Sequence, residues 1–405
     1  MVNKKKIAWL ILFWFVSGLV VGGFYVHKVS ARSNKTYEKL RIFTEVLEIV
    51  KKNYVEEVNT EDLVTGAIEG MLDSLDPHSA YLSPDMYREL QVETKGSFGG
   101  LGIEIAIRDR ILTVIAPIED TPAYGAGIKA GDKILKIEGE STKGLSLMKC
   151  VEKLRGPKGT KVTITIMREG LAQPKDFTIV RDIIEIKSVK FKTLEKGYGY
   201  LRISQFQEQT SADLREALDA LQKENPQGIN GLIVDLRNNP GGLLDQAVAV
   251  VDFFLDHGLI VAVKGRGDGE KIMFKAHKEG TLPPWPIVVL VNHGSASASE
   301  IVAGALQDYG RGVILGTKTF GKGSVQTIIA LEDGSGLRLT TARYYTPSGR
   351  SIQDEGIHPD VPVSAEEISH AEAKKEPQED HQLNRALEQL KGLKIFQKFL
   401  SSAVR

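Results

Sequence analysis

The stretch from Ile287 to Gln326 limits the fold more than any other part of this chain. Five apolar residues, Ile287 to Val291, have the length of a strand, and a turn of small residues follows, reading N-H-G-S-A-S-A-S from Asn292 to Ser299. Ile301, Val302, Ala305 and Leu306 then recur at helical spacing, and a second apolar run, Val313 to Leu315, restores strand character. Strands and helices alternate in this way from Ile183 onward, which is the signature of an α/β core. Tyr198 to Ile203 reads as a strand, Ser211 to Gln222 as an amphipathic helix, and Gly231 to Arg237 as a buried strand. That strand runs into Asn238-Asn239-Pro240-Gly241-Gly242, and a helix is expected over Leu243 to Phe254. Strands are again expected over Thr327 to Leu331 and Leu337 to Tyr345.

Ser297 and Lys322 raise a chemical question. A serine hydroxyl is a weak nucleophile and needs a neighbouring base. A lysine serves as that base where burial disfavours its ammonium form. Gly294, Ala296 and Ala298 leave room for a substrate backbone, and a helix start beside Ser297 offers free N–H groups to developing negative charge. Gly321 and Gly323 let a backbone pack closely around Lys322, with Phe320 as a dry wall. A plainer reading competes. Ser297-Ala298-Ser299-Glu300 fits the S-x-x-E capping box, which makes Ser297 an N-cap and Lys322 a solvated strand residue. Local pattern leaves both open.

The blocks G-S-A-S-A-S-E, Q-D-Y-G-R and T-F-G-K-G-S-V-Q resemble, in order and spacing, the carboxy-terminal processing peptidases, also called tail-specific proteases. The resemblance covers nearly all of the chain after its first thirty residues. It implies a serine–lysine pair on a crotonase-like α/β core with a PDZ domain inserted before it. The implied nucleophile falls on Ser297, the base on Lys322, and a residue that orients the lysine on Gln326. The D-L-R-N-N-P-G-G block implies one oxyanion donor at Gly241 or Gly242, with the Ala298 N–H as the other; one such donor contributes roughly 3 kcal/mol to the transition state. Read as a phosphate loop, the same glycines lack the lysine of a Walker sequence and the spacing of a dinucleotide fingerprint. His78, in the L-D-P-H-S block, and His293 are expected in structural roles. Asp308 reads equally as a helix-end residue bonding Arg311 or backbone and as a catalytic helper.

Residues 96 to 182 resemble a PDZ domain, which captures an extended peptide tail by strand addition. The loop Gly99-Gly100-Leu101-Gly102 would hold a terminal carboxylate, Leu101 and Ile103 would line an apolar pocket, and Arg168 would report occupancy or stand as a surface charge. Residues 35 to 92 carry helical spacing, through Leu40, Phe43, Val46 and Leu47 and again through Leu63, Ile68, Met71 and Leu72. The resemblance implies dimerisation through such helices. Residues 366 to 385 read as a solvated linker, and Leu383, Ala386, Leu387, Leu390 and Leu393 as a closing amphipathic helix.

Composition narrows the remaining classes. A chain of 405 residues suggests two or three domains, and 52 basic against 52 acidic residues give no bulk attraction for nucleic acid. The single cysteine, Cys150, permits no internal disulfide and reads as a small core residue. The eight histidines are scattered, with no H-E-x-x-H run and no paired cysteines, so neither metal nor cofactor is expected. Lys4, Lys5 and Lys6 precede an uncharged apolar run from Ile7 to Val26, long enough to span a bilayer, with Val29-Ser30-Ala31 as a signal-peptidase-like site. An uncleaved anchor is the favoured reading over a cleaved signal, and either puts the bulk of the chain outside the cytoplasmic membrane.

The expected organisation is an anchor or signal at 1–34, helices at 35–95, a PDZ domain at 96–182, a peptidase core at 183–365, and a linker with a helix at 366–405. The expected activity is a serine endopeptidase acting on proteins with accessible C-terminal tails, working as a homodimer at the membrane. The alternatives are a membrane-anchored PDZ scaffold with an inert core and, disfavoured by the PDZ module, a crotonase-like acyl hydrolase.

Overall fold

The computed structural model describes residues 35–267, 271–364 and 380–403. The apolar run Ile7 to Val26, the Val29-Ser30-Ala31 site and most of the expected linker lie outside them. Among the described residues no helix is long and apolar enough to cross a membrane.

The chain divides after Tyr81. The first unit holds helix α1 (35–53) and helix α2 (Thr60–Asp73), the latter started by Asn59, whose side chain accepts the Glu61 N–H. Tyr37, Leu40, Phe43, Val46 and Ile49 of α1 are exposed. Asp76 builds the L-D-P-H-S turn by accepting the N–H groups of His78 (2.8 Å) and Ser79 (2.9 Å). A short strand, β1 (Ala80–Leu82), closes this stretch.

The second unit opens with α3 (Pro84–Lys95), capped by Ser83 and ended by Gly96 at φ 70°. Next come β2 (Ser97–Gly100), β3 (Ile103–Arg108), β4 (Ile111–Pro117), α4 (Pro122–Gly125), β5 (Lys133–Ile137), β6 (Glu140–Ser141), α5 (Leu147–Leu154), β7 (Lys161–Met167), β8 (Lys175–Val180) and β9 (Asp182–Glu185). One antiparallel sheet runs β3-β4-β5-β7-β8 with β6 on β5, and β2 pairs separately with β9. In β7 the buried residues Val162, Ile164 and Ile166 alternate with more open ones, the mark of a strand with one covered face. Leu101, Val114, Ile134 and Cys150 join the same core, and burial pushes the Cys150 thiol up from its ordinary value. In this sheet β3 is an edge strand.

The remaining elements are β10 (Val189–Glu195), β11 (Tyr198–Ile203), α6 (Thr210–Glu224), β12 (Gly231–Asp235), α7 (Leu244–Asp252), β13 (Leu259–Gly265), β14 (Lys271–Lys275), β15 (Ile287–Val291), α8 (Ala298–Asp308), β16 (Val313–Gly316), β17 (Ser324–Ala330), β18 (Gly336–Tyr345), β19 (Val361–Pro362) and α9 (His381–Ala403). The central sheet has the order β10-β11-β12-β15-β16-β19, parallel from β11 onward. Both of its faces are covered. Leu232, Val234, Ile287 and Val289 pack with α6, α7 and α8, while Ile233, Val288 and Leu290 pack with Ala386 and Leu390 of α9. Every residue of β12 and β15 is therefore buried, which is why these strands read as unbroken apolar runs. A second, antiparallel sheet holds β17-β18-β13-β14.

The closing helix starts earlier than the charge pattern suggests. Asp380 accepts the Leu383 N–H at 3.0 Å, so residues 381–385 are helix and not linker. Arg237 fastens the start of α9 to the end of β12, reaching Asp235 (2.6 Å) and Asp380 (2.7 Å). The bonds from Arg237 hold the Asp380 carboxyl below its usual range.

Candidate active site

Strands β12 and β15 are parallel neighbours, with Asp235 opposite Leu290, so the loops leaving their carboxyl ends lie side by side. In α/β sheets this is where binding sites form. Here the two loops are sewn together. The Asn238 N–H donates to Asn292 Oδ1 (2.9 Å), the Ser295 hydroxyl donates to the Leu236 carbonyl (2.8 Å), and the Ala296 N–H donates to the Asn239 carbonyl (3.0 Å). Buried Asn239 adds a third strand, donating from Nδ2 to the Ile203 carbonyl (2.9 Å).

Ser297 ends the second loop at the start of α8. Its backbone sits at φ 55°, ψ −112°, a conformation that costs a non-glycine residue about 1–3 kcal/mol and persists only where the surroundings fix it. Those surroundings include Gly241, where a Cβ would stand 2.8 Å from the Ser297 Cβ and 2.9 Å from the Ala296 carbonyl oxygen. Gly242 is equally cramped, since a Cβ there would meet the Phe206 carbonyl oxygen at 2.1 Å. Phe206 pairs with the groups flanking Gly242: its N–H donates to the Gly241 carbonyl and its carbonyl accepts the Leu243 N–H. In a parallel bridge this turns the N–H of Gly242 away from Phe206. The Gly241 N–H is committed to Asn239 Oδ1 (2.9 Å). The Ala298 N–H, in the first turn of α8, has no acceptor within its own helix.

Glu300 joins this corner to the loop that carries Lys322. Its side chain is fully buried and accepts four bonds: from the Ser297 N–H (2.8 Å), the Thr319 hydroxyl (2.5 Å), the Gly321 N–H (2.7 Å) and the Lys322 N–H (2.9 Å). Ser297 and Lys322 share one oxygen, Oε2, so their backbones are immediate neighbours. Burial raises the Glu300 pKa above its ordinary value, against the pull of these four bonds. The sequence pattern names Glu300 only as the partner in a capping box. That half of the box exists, and the same carboxylate does far more.

Close packing around Lys322 is as the two glycines suggest. A Cβ at Gly323 would lie 2.3 Å from the Gln353 nitrogen, and one at Gly321 3.2 Å from the Asp354 carbonyl carbon. Lys322 itself is half-buried. Phe320 does not close the site, being 49% exposed, and its ring meets that of exposed His293 with centroids 5.5 Å apart. Gln326 sits at a bulge in β17 and donates from Nε2 to the hydroxyls of Ser324 (2.9 Å) and Thr340 (3.2 Å), which leaves its carbonyl oxygen as the acceptor end. Tyr344, on β18, is a residue the motifs do not single out. Its N–H donates to the Gly323 carbonyl (2.7 Å), and its phenol is hydrogen-bonded to the Ser297 hydroxyl. Burial raises that phenol's pKa, and the bond to Ser297 partly offsets the rise.

Asp308 lies at the opposite end of α8 from Ser297. It bonds the Ser348 N–H (2.9 Å) and Arg350, not Arg311, whose guanidinium donates to the carbonyls of Phe254, Trp285 and Pro283. Burial works against the Asp308 carboxylate, yet bonds from Thr346, Ser348 and Arg350 hold its pKa low.

The loop Gly100-Leu101-Gly102-Ile103 borders a cavity of about 70 Å³ between β3 and α5, closed by Val151 and Leu154. Gly102 needs its φ of 78°, and a Cβ there would strike Thr121 at 2.3 Å. Arg168 is not among the lining residues. It forms a two-point pair with fully buried Asp132 (2.5 and 2.6 Å) and also donates to the Gly127 carbonyl (2.9 Å). The bond to Asp132 raises its pKa.

Parts of this chain match known protein families. Residues 197–363 match Peptidase family S41, residues 89–167 match the PDZ domain, and residues 23–86 match the Activating protease CtpB N-terminal domain. The chain is 50% identical over 329 residues to the carboxy-terminal-processing protease of Bartonella bacilliformis, covering 81% of this chain and 76% of that one. It is 37% identical over 335 residues to the carboxy-terminal processing protease CtpA of Bacillus subtilis, covering 82% and 70%. Among solved structures, a photosystem II D1 C-terminal processing protease is 33% identical, with a TM-score of 0.46, over 80% of this chain and 92% of that one.

Proposed function

The chain belongs to the carboxy-terminal-processing proteases of peptidase family S41 and is a serine-type peptidase with a PDZ domain, and from that premise we propose that it cleaves peptide bonds through a Ser297–Lys322 dyad. The observation that carries this reading is Glu300 Oε2, which takes the N–H of both residues and so holds nucleophile and base loops in one place. The neutral Lys322 amine removes the Ser297 proton as Oγ attacks the substrate carbonyl. The resulting oxyanion receives the N–H groups of Gly242 and Ala298, since the N–H of Gly241 already serves Asn239. The Lys322 ammonium then protonates the leaving amine, and an acyl-enzyme remains for water to hydrolyse. The carbonyl oxygen of Gln326 accepts a bond from Lys322 and steadies it. Tyr344 holds the Ser297 hydroxyl while no substrate is bound.

Substrate selection follows from the open edge of β3. A C-terminal tail adds there as a strand, with its carboxylate at Gly100–Gly102 and its last side chain in the small apolar cavity. The protease works outside the cytoplasmic membrane, held or delivered by its N-terminal segment, and pairs with a second copy through its N-terminal helices. PDZ occupancy gates the core, a restraint suited to a degradative enzyme.

The test compares wild type with Ser297→Ala and Lys322→Ala on casein and on a tailed peptide. Loss of cleavage in both variants, with unfolding transitions intact, is the expected result. Full activity in either variant removes the dyad. No cleavage by wild type favours the rival, a PDZ scaffold with an inert core. Deleting the PDZ domain should raise cleavage of an untailed substrate; unchanged or slower cleavage counts against gating.

A further inference from the structure

The turn that carries Gly241 and Gly242 is held from both faces of the central sheet. On the α8 side, the Ser299 hydroxyl donates to the Asn239 carbonyl at 3.0 Å. On the α9 side, the hold begins at fully buried Asp235, the last residue of β12. Its carboxylate accepts the Tyr200 hydroxyl (2.8 Å), the Arg237 N–H (2.9 Å) and, at two points, the Arg237 guanidinium (2.6 and 3.0 Å). The outer edge of that guanidinium is taken by α9, where Asp380 accepts at two points (2.7 and 2.8 Å) and Gln382 Oε1 at 3.0 Å. Gln382 in turn donates to the Val363 carbonyl (2.8 Å), just past β19, so the start of α9 bridges the carboxyl ends of β12 and β19. Asn238 follows Arg237 directly at φ 56°, a left-handed conformation that a residue with a side chain keeps only where its surroundings fix it.

We propose that Asp380 is a positioning residue for the oxyanion hole: by clamping Arg237 from outside, it fixes the turn that aims the Gly242 N–H. The inference rests on the assignment of Gly242 as a donor. A guanidinium gripped by a carboxylate on each edge is confined to one orientation. The backbone N–H of Arg237 shares Asp235 Oδ1 with its own side chain, so a shift of the guanidinium passes to the main chain of Arg237 and Asn238. An oxyanion donor acts only at hydrogen-bond distance from the developing charge. A small displacement of this turn therefore lowers turnover without weakening ground-state binding.

The test uses the full-length chain with substitutions at Asp380, whose side chain is 41% exposed, so that the core stays intact. Asp380 also accepts the Leu383 N–H (3.0 Å), a helix-capping bond, and the variants separate the two roles. Asp380→Ser keeps the cap and loses the ion pair, Asp380→Ala loses both, and Asp380→Glu keeps the ion pair with a poorer cap. Turnover is followed on an internally quenched, untailed casein peptide. Inhibition is measured with an acetylated tripeptide ending in alaninal and with the same tripeptide ending in alaninol. Ser297 Oγ adds to the aldehyde carbon, its proton passes to Lys322 and the carbonyl electron pair moves to oxygen, so only the aldehyde senses the oxyanion hole. Asp380→Ser and Asp380→Ala should lower kcat about tenfold, less than the hundredfold of a donor lost outright, and leave KM unchanged. The Ki of the aldehyde should rise by the same factor and that of the alcohol should stay as it was. Asp380→Glu should recover most of the loss. Wild-type turnover in Asp380→Ser reduces Asp380 to a helix cap and overturns the proposal, as does equal weakening of aldehyde and alcohol. If the aldehyde binds wild type no better than the alcohol, the oxyanion reading fails and the proposal falls with it.

Discussion

Glu300 and Glu89 each tie two segments of the chain together, one in the peptidase core and one beside the PDZ groove. Glu300 takes its bonds from the loops around it. It is fully buried and is satisfied by four donors, three of them backbone N–H groups. Glu89 is paired with a guanidinium, and a third of its side chain is in water. A buried carboxylate with fixed donors cannot be exchanged without stranding all of them, so it sets a geometry. A partly solvated ion pair contributes little and is readily broken, so it sets a geometry only weakly. The same functional group is thus fixed in one corner and loosely held in the other.

The sharpest way to break this comparison is truncation. Glu300→Ala strands four donors and should cost roughly 4 kcal/mol by urea denaturation, with cleavage of casein abolished. Glu89→Ala should cost under about 1 kcal/mol and leave cleavage of a short untailed peptide in place. Equal costs would mean that the two carboxylates do not differ in kind.

Backbone clearance separates the corners by function. Gly241→Ala drives a Cβ against Ser297 and should lower turnover about 100-fold, the scale of one lost oxyanion donor. Gly99→Ala meets the Gly156 carbonyl oxygen at 2.1 Å, and should weaken tailed-peptide binding while turnover of an untailed peptide persists.

The pH dependence carries a sign. The raised pKa of Glu300 makes its contribution to stability complete below the ordinary glutamate value and lost as pH rises through the folded-state value. Denaturation of wild type from acid to neutral pH should show that loss, and Glu300→Gln, uncharged throughout, should not. Tyr344→Phe removes one hydroxyl bond to Ser297 and should cost about 1 kcal/mol, read as a small shift in the urea midpoint.

Much of the core was legible in the chain. The run over Ile287–Val291 is a strand over those same residues, because burial on both faces leaves an uninterrupted apolar signal, and Tyr198–Ile203 is one in which every second residue is buried. The helix after Ser297 and the turn ending in Gly241-Gly242 also fall where their residue types put them. Other parts left no such trace. Helix α3 is polar along most of its length and exposes no buried stripe, and only Ser83-Pro84 marks its start. Strand β14 is mostly exposed and has no alternation to read. Arg168 looked like either a surface charge or an occupancy reporter, and its burial against Asp132 depends on a partner 36 residues away.

By itself, the sequence determined where the chain turns, which strands are apolar throughout, and which hydroxyl and amine are set in small residues. These are local properties, written in spacing and side-chain volume. Only the tertiary structure decided that Glu300 would hold Ser297 and Lys322 together, that Tyr344 would reach the serine from another sheet, and that Glu89 would find Arg155. Those choices follow from which strands lie side by side and at what register. A carboxylate's neighbours across such distances in the chain have no period for a sequence to display.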